Sequence, residues 1–195
     1  MERKEIQKKL KKELDKNRYL HTRGVMYTAS CLAMRYEYDI EKAMLAGLLH
    51  DCAKCLSNEQ QIEICEQHQV TISSIEHQNP FLLHQKTGAI IAEEEYGVKD
   101  PEILHAISVH TTGCVEMTLL DKIIFVADYI EPGRDKAEHL QEIRKEAFED
   151  IDACVADILY DTIHYLNKRS GAIDPTTAQV YEYYRQYEKE QPWKL

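Results

Sequence analysis

Apolar residues recur along this chain at three- and four-residue spacings, β-branched alternation is nearly absent, and only 7 glycines and 5 prolines punctuate 195 residues. That period collects side chains on one face of a helix, whereas a half-buried strand needs a period of two. The chain is therefore read as all-α, one helical bundle over residues 1–195, because 44% apolar content at this length suffices for a single sizeable core. Neither an internal repeat nor a low-complexity segment divides it.

Ile6, Leu10 and Leu14 stripe a charged first helix, and Val25, Ala29, Leu32 and Tyr36 stripe a second. His21 stands four residues before Val25 and shares its face if that helix reaches back so far. A third helix is expected over Ile40–Leu49 and a fourth over Asn58–His68, after Ser57 as cap. Beyond the Asn79-Pro80 break, the spacing predicts a helix from about Phe81 to Tyr96 with Gly97 as left-handed cap and His84 in its first turn. Asp100 caps and Pro101 opens the next helix, on which Ile103, Ile107 and His110 share a face. Thr111-Thr112-Gly113 closes it, either as a plain turn or as one whose amides are free for a phosphate. From Thr118 to Glu131, Asp128 sits on the apolar stripe of Leu120, Ile124 and Ala127, where a carboxylate needs a partner. Glu138–Lys168 reads as one structural helix or a pair. Asp174-Pro175 interrupts, and a final helix carries Tyr181, Tyr183, Tyr184 and Tyr187, a stripe read as packing before base stacking.

Composition excludes several roles. A net charge of −10 disfavours a general nucleic-acid surface, so an anionic substrate must be held locally by a few cations or by metal. The start, Met1-Glu2-Arg3-Lys4-Glu5, lacks a secretory apolar segment and no run is long enough to span a bilayer, so a cytoplasmic protein without a membrane partner is expected. The six cysteines are read as free thiols, with the Cys52/Cys55 pair lacking the second pair that a structural zinc site requires.

Metal-capable side chains carry the chemistry: His21, His50, Asp51, His84, His110 and Asp128. Mixed imidazole and carboxylate donors suit iron, manganese or zinc. His50-Asp51 follows the apolar run Met44–Leu49 and precedes Lys54, so a buried helix is expected to deliver two ligands and a cation to one place. Arg18, Arg23, Lys54, Lys86, Arg134, Lys168 and Arg169 are the nearby cations in sequence. Any one of these histidines alone reads more readily as a satisfied core or surface residue, as do His68, His77, His105, His139 and His164.

In order along the chain, His21, His50-Asp51 and Asp128 resemble the pattern of the HD-domain metal-dependent phosphohydrolases. The blocks Arg18–Val25, Leu48–Lys54, His110–Gly113 and Asp121–Arg134 are similar to the bacterial YqeK-type branch, across roughly the whole chain. The resemblance implies an HD-type helical domain with its site core at about 18–134, and a symmetrical dinucleoside tetraphosphatase, cutting diadenosine tetraphosphate to two ADP. It implies one divalent ion, iron first, on His21, His50, Asp51 and Asp128, with His84 and His110 on a second ion or on the phosphates. Were two ions bound, Asp51 would bridge them.

Coordination lowers the pKa of water, giving hydroxide as nucleophile on phosphorus, with Asp51, Lys54, His84 and His110 in the reacting shell. Arg18, Arg134 and Arg169 suit the outer phosphates, together with His21, Lys54, His84 and His110. The resemblance also places Ser170, Gly171, Ala172, Ile173 and Asp174 in a loop beside the nucleoside. Two alternatives stand: another phosphoester or nucleoside monophosphate as substrate, and a non-catalytic nucleotide sensor. The striped first helix allows a homodimer without requiring one.

Overall fold

The computed structural model describes residues 1–168 and 174–190. Among the described residues regular structure is helical throughout, as α1 Arg3–Glu13, α2 Lys16–Arg35, α3 Ile40–Leu49, α4 Asn58–Gln67, α5 Ser74–Gln78, α6 His84–Glu94, α7 Pro101–Val109, α8 Leu119–Ile130, α9 Leu140–Glu146, α10 Ile151–Lys168 and α11 Pro175–Tyr184. The all-α expectation holds. None of these helices is long and apolar enough to cross a membrane.

Caps fix where the site-bearing helices begin. The Asp15 carboxylate accepts the Asn17 and Arg18 amides, so α2 starts at Lys16 and does reach back past His21. Ser57 and Gln60 form a capping box for α4, Asp100 caps α7 ahead of Pro101, and Thr118 with Asp121 boxes α8. The last helix is the centre of the bundle: Leu120, Ile123, Ile124, Val126 and Ala127 are fully buried, and α8 packs on α2, α3, α7 and α10.

One helix opens differently from expectation. The helix expected from Phe81 opens as a 3-10 turn, Pro80–Leu83, and becomes α-helical only at His84, because Pro80 lacks the N–H and fixes a tight first turn. Of the two readings of Glu138–Lys168, the pair is the one found, as α9 and α10, with Asp150 Oδ1 accepting the Ala153 amide at 3.2 Å to start the second. Helix α3 ends at Leu49, the expected boundary, so His50 and Asp51 stand in the turn beyond it and not in the helix itself.

Elsewhere the cysteines are free, Cys52 buried and Cys55 exposed, so the pair shares no site. Tyr184 is 1% exposed and its hydroxyl receives the Met117 amide at 2.9 Å, a packing role, whereas Tyr187 lies past the end of α11 in a 3-10 turn.

Candidate metal centre

Asp51 is the hub of the site. Its Oδ2 lies 3.8 Å from His21 Nε2 and 3.5 Å from His50 Nε2, while Oδ1 lies 3.4 Å from His84 Nε2 and 3.7 Å from His110 Nε2. Asp128 Oδ1 completes the ring at 3.0 Å from His21 Nε2 and 3.9 Å from His50 Nε2. The six side chains come from α2, the turn after α3, the start of α6, the residue after α7, and α8, so only the bundle assembles them.

Each ring is aimed by its other nitrogen. Nδ1 of His50, His84 and His110 lies 2.8, 2.7 and 2.7 Å from the carbonyls of Gly47, Phe81 and Ile107, three residues back in each case. The helix and turn backbone therefore holds the proton on Nδ1 and leaves the Nε2 lone pairs converging on Asp51. Nε2 of His21 and Nε2 of His50 are buried with no hydrogen-bond partner. Buried polar atoms go unpaired at a cost of about 1–3 kcal/mol, so these two fit a metal ion, as does a donor set of imidazole nitrogen and carboxylate oxygen.

The charges are mutually adjusted. Burial opposes ionisation of Asp51, but the electrostatic influence of the His50 and His110 rings facing it outweighs burial and holds the carboxyl well below its usual range. Asp128 follows the same pattern, with His21 the main opposing partner. Burial, reinforced by His110 and Lys54, drives His84 down to about 3, so its ring stays neutral. Burial likewise lowers Lys54, partly offset by Asp51. Burial would lower His21 too, but Asp128 and Glu131 raise it.

The acid stability of ion-free protein follows. Between the ordinary histidine value of 6.5 and about 3, unfolded chain protonates His84 and folded chain does not, so stability falls as pH falls through that window. The lowered Asp51 and Asp128 add to the loss at its acid end, and the raised His21 works the other way, being most stabilising at low pH and losing that as pH rises. Melting of chelator-stripped protein is expected to drop by roughly 5–10 °C from pH 7 to pH 4.5. His84→Gln should flatten the profile; an unchanged slope contradicts a neutral buried His84.

Three cations reach the centre among the described residues. Arg18 Nη1 is 2.5 Å from Asp51 Oδ2, Arg134 Nη2 is 2.6 Å from Asp128 Oδ1, and Lys54 Nζ is 2.9 Å from His84 Nε2. Other cations are engaged elsewhere: Lys86 pairs with Glu76, Lys168 stands 3.5 Å from Glu138, and Arg23 lies over the Tyr27 ring. A cleft of about 620 Å³ opens beside the centre, lined by Arg18, His21, His110, Asp128 and Arg134 and walled by Phe125, Tyr129 and Ile158.

Some residues escaped the sequence reading. Gln85 Oε1 accepts the Thr111 and Thr112 amides at 3.1 and 3.4 Å, and Gly113 N donates to Val109 O, so the Thr111–Gly113 amides are not free and the turn is a plain one. Thr111 Oγ1 still meets His84 Nε2 at 3.1 Å. Glu131, 3% exposed, meets His21 Nδ1 at 3.0 Å, and α10, read as structural, lends Ile158 and Thr162 to the cleft. The capping position of Asp174 was foreseeable from the proline after it: it accepts the Thr176 amide at 2.7 Å. Arg169, Ser170, Gly171, Ala172 and Ile173 lie outside the described residues. Four of the five remaining histidines have partners away from the centre, His105 and His139 against Asp121 and Asp161, His68 near Glu94 and His164 stacked on Tyr160.

The family model described as "HD domain" matches residues 18–133, the span that carries all six of these side chains. The chain belongs to the HD-domain family. This HD-domain protein is 38% identical over 183 residues to a protein of Bacillus subtilis (strain 168) named "Bis(5'-nucleosyl)-tetraphosphatase, symmetrical", covering 94% of this chain and 97% of that one. A protein of Halalkalibacterium halodurans bearing the same name is 38% identical over 88% of this chain and 91% of its own. Among solved structures, a "predicted HD superfamily hydrolase involved in NAD metabolism" from Clostridium acetobutylicum superposes with a TM-score of 0.93 at 39% identity, covering 96% of this chain and 99% of that one.

Proposed function

We infer that this HD-domain protein is a metal-dependent hydrolase that cleaves diadenosine tetraphosphate and related dinucleoside polyphosphates symmetrically, to two ADP. The observation that carries this is the convergence of four Nε2 atoms and two carboxylates on one point beside an open, cation-rimmed cleft. The relatives that this chain matches along nearly their full length are named for that activity. A sensor has no need of so complete a donor shell, and no feature of the cleft favours a monophosphate over a longer phosphate chain.

His21, His50, Asp51 and Asp128 are assigned to one ion, iron by preference with manganese and zinc compatible with the donors. Asp51 with His84 and His110 offers a second set of donor atoms within 4.8 Å of one another, so these residues would hold a second ion were two bound. A divalent ion supplies a Lewis acid and a nucleophilic water at neutral pH. The protein does the rest. Arg18 and Arg134 stand at the rim, where their guanidinium forks can take phosphate oxygens in pairs. Lys54 is placed to donate to a nonbridging oxygen as charge builds there, and neutral His84 adds no like charge beside its ammonium. In the reaction, oxygen from water adds at one inner phosphorus, its bond to the central bridging oxygen breaks, one ADP departs with that oxygen, the other carries the oxygen from water, and the protons of water pass to the products or to solvent.

Arg134→Ala is expected to raise KM for diadenosine tetraphosphate about tenfold, the usual loss for a charge-assisted hydrogen bond, with kcat changed less. An unaltered KM removes Arg134 from the phosphate site. Metal dependence is tested by stripping the protein with chelator and restoring ferrous or manganous ion; hydrolysis should vanish and return, and hydrolysis that survives stripping contradicts the assignment.

A further inference from the structure

We propose that Glu131 is the positioning residue of the centre, fixing His21 in one tautomer and making it the strongest donor of the four imidazoles; this rests on the metal-hydrolase reading above. His21 is the exception among them. The other three rings lean on neutral backbone carbonyls through Nδ1, whereas His21 Nδ1 meets a carboxylate oxygen, Glu131 Oε1, at 3.0 Å. An anionic acceptor pulls the Nδ1 proton harder than a carbonyl does and leaves more electron density at Nε2. That Nε2 is buried, lacks a hydrogen bond, and lies 3.0 Å from Asp128 Oδ1.

Glu131 is itself built in. Its Oε2 accepts the Gly133 amide at 2.6 Å, so one oxygen is committed to the turn and the other faces His21. Space for it comes from two glycines. A Cβ at Gly24 would stand 2.3 Å from Glu131 Oε2, and one at Gly133 would stand 2.9 Å from Oε1. Gly24 lies in the middle of α2, one turn after His21 and on its side, at a position where glycine weakens a helix. The helix therefore gives up stability where the carboxylate needs room. Glutamine cannot replace Glu131, since the Gly133 N–H and the His21 Nδ1–H both require an acceptor and an amide brings one acceptor and one donor.

The test is Mn2+ binding, followed by electron paramagnetic resonance, to full-length wild-type, Glu131→Gln and Gly24→Ala proteins, each checked for helicity and melting without ion. Gly24→Ala retains the carboxylate and improves helix propensity, so a loss there comes from displacement of Glu131 and not from a weaker α2. Both variants are expected to bind Mn2+ roughly 10–100-fold more weakly than wild type while folding normally. A purely structural Glu131 would lower melting yet leave the affinity of folded protein unchanged, and wild-type affinity in both variants overturns the proposal. Absence of Mn2+ binding by wild type would instead overturn the metal reading on which it rests.

Discussion

Asp51→Ala protein is expected to lose bound metal and turnover together, the largest effect of any single substitution in this chain. Asp51 is 2% exposed and, among the described residues, the only side chain whose two oxygens face all four imidazoles, with His21 and His50 on one side and His84 and His110 on the other. Removing it leaves each donor set short of an oxygen and takes away the negative charge that opposes repulsion between bound cations. Replacing a residue outside the donor shell typically costs 10–100-fold, so loss of the shared ligand should cost more than roughly a thousandfold in kcat/KM. Metal analysis of the purified variant, beside its helicity, separates this from misfolding. Retained activity, or metal retained at wild-type stoichiometry, contradicts Asp51 as the hub.

Lys54→Ala should do something different: leave metal in place and slow the chemical step. The lysine is delivered by the same turn as Asp51 and its ammonium lies 3.1 and 2.9 Å from the two ring nitrogens of His84, inside the centre and not on the solvent face that a lysine usually takes. It supplies no ligand atom, since a protonated amine has no lone pair. A single preorganised donor to developing charge is worth roughly 10²–10³ in kcat, and that is the expected loss with metal content unchanged. Wild-type kcat would return Lys54 to a structural role; loss of metal would mean that it instead holds His84 in place.

Much of this centre was legible because helix periodicity exposes polar residues in the wrong place. His21 lies one turn before Val25, and Asp128 interrupts the stripe of Leu120, Ile124 and Ala127; helix periodicity alone turns both inward. The His50-Asp51 pair was marked by its position after an apolar run, although the backbone makes a turn of it, and that turn is what lets Nε2 of His50 and both oxygens of Asp51 face the same point. The charged rim was harder: of seven cations near the ligands in sequence, proximity did not separate Arg18, Lys54 and Arg134 from Lys86 or Lys168, whose partners Glu76 and Glu138 lie off the site.

What stayed hidden depends on contacts between distant helices. Glu131 is 110 residues from His21, and nothing local distinguishes its carboxylate from a helix-end glutamate facing water. The signal was indirect, a glycine in the middle of α2 with no turn to explain it, and it acquires meaning only once the Glu131 carboxylate is seen to fill the space that a Cβ would take. Gln85 is similar, a polar residue next to His84 whose carbonyl oxygen replaces the missing helical partners of Thr111 and Thr112. Ile158 and Thr162 were indistinguishable from core-facing positions, because a helix that walls a cleft carries the same pattern as one that walls a core.

Central to all of this is symmetrical cleavage at a metal centre. The direct measurement is to load anaerobically purified protein with ferrous iron, supply diadenosine tetraphosphate, and resolve the nucleotides by anion exchange. ADP as sole nucleotide product, two for each substrate consumed, is the expected result. ATP and AMP in equal amounts would contradict it, since an outer bridging bond would then have broken in place of the central one.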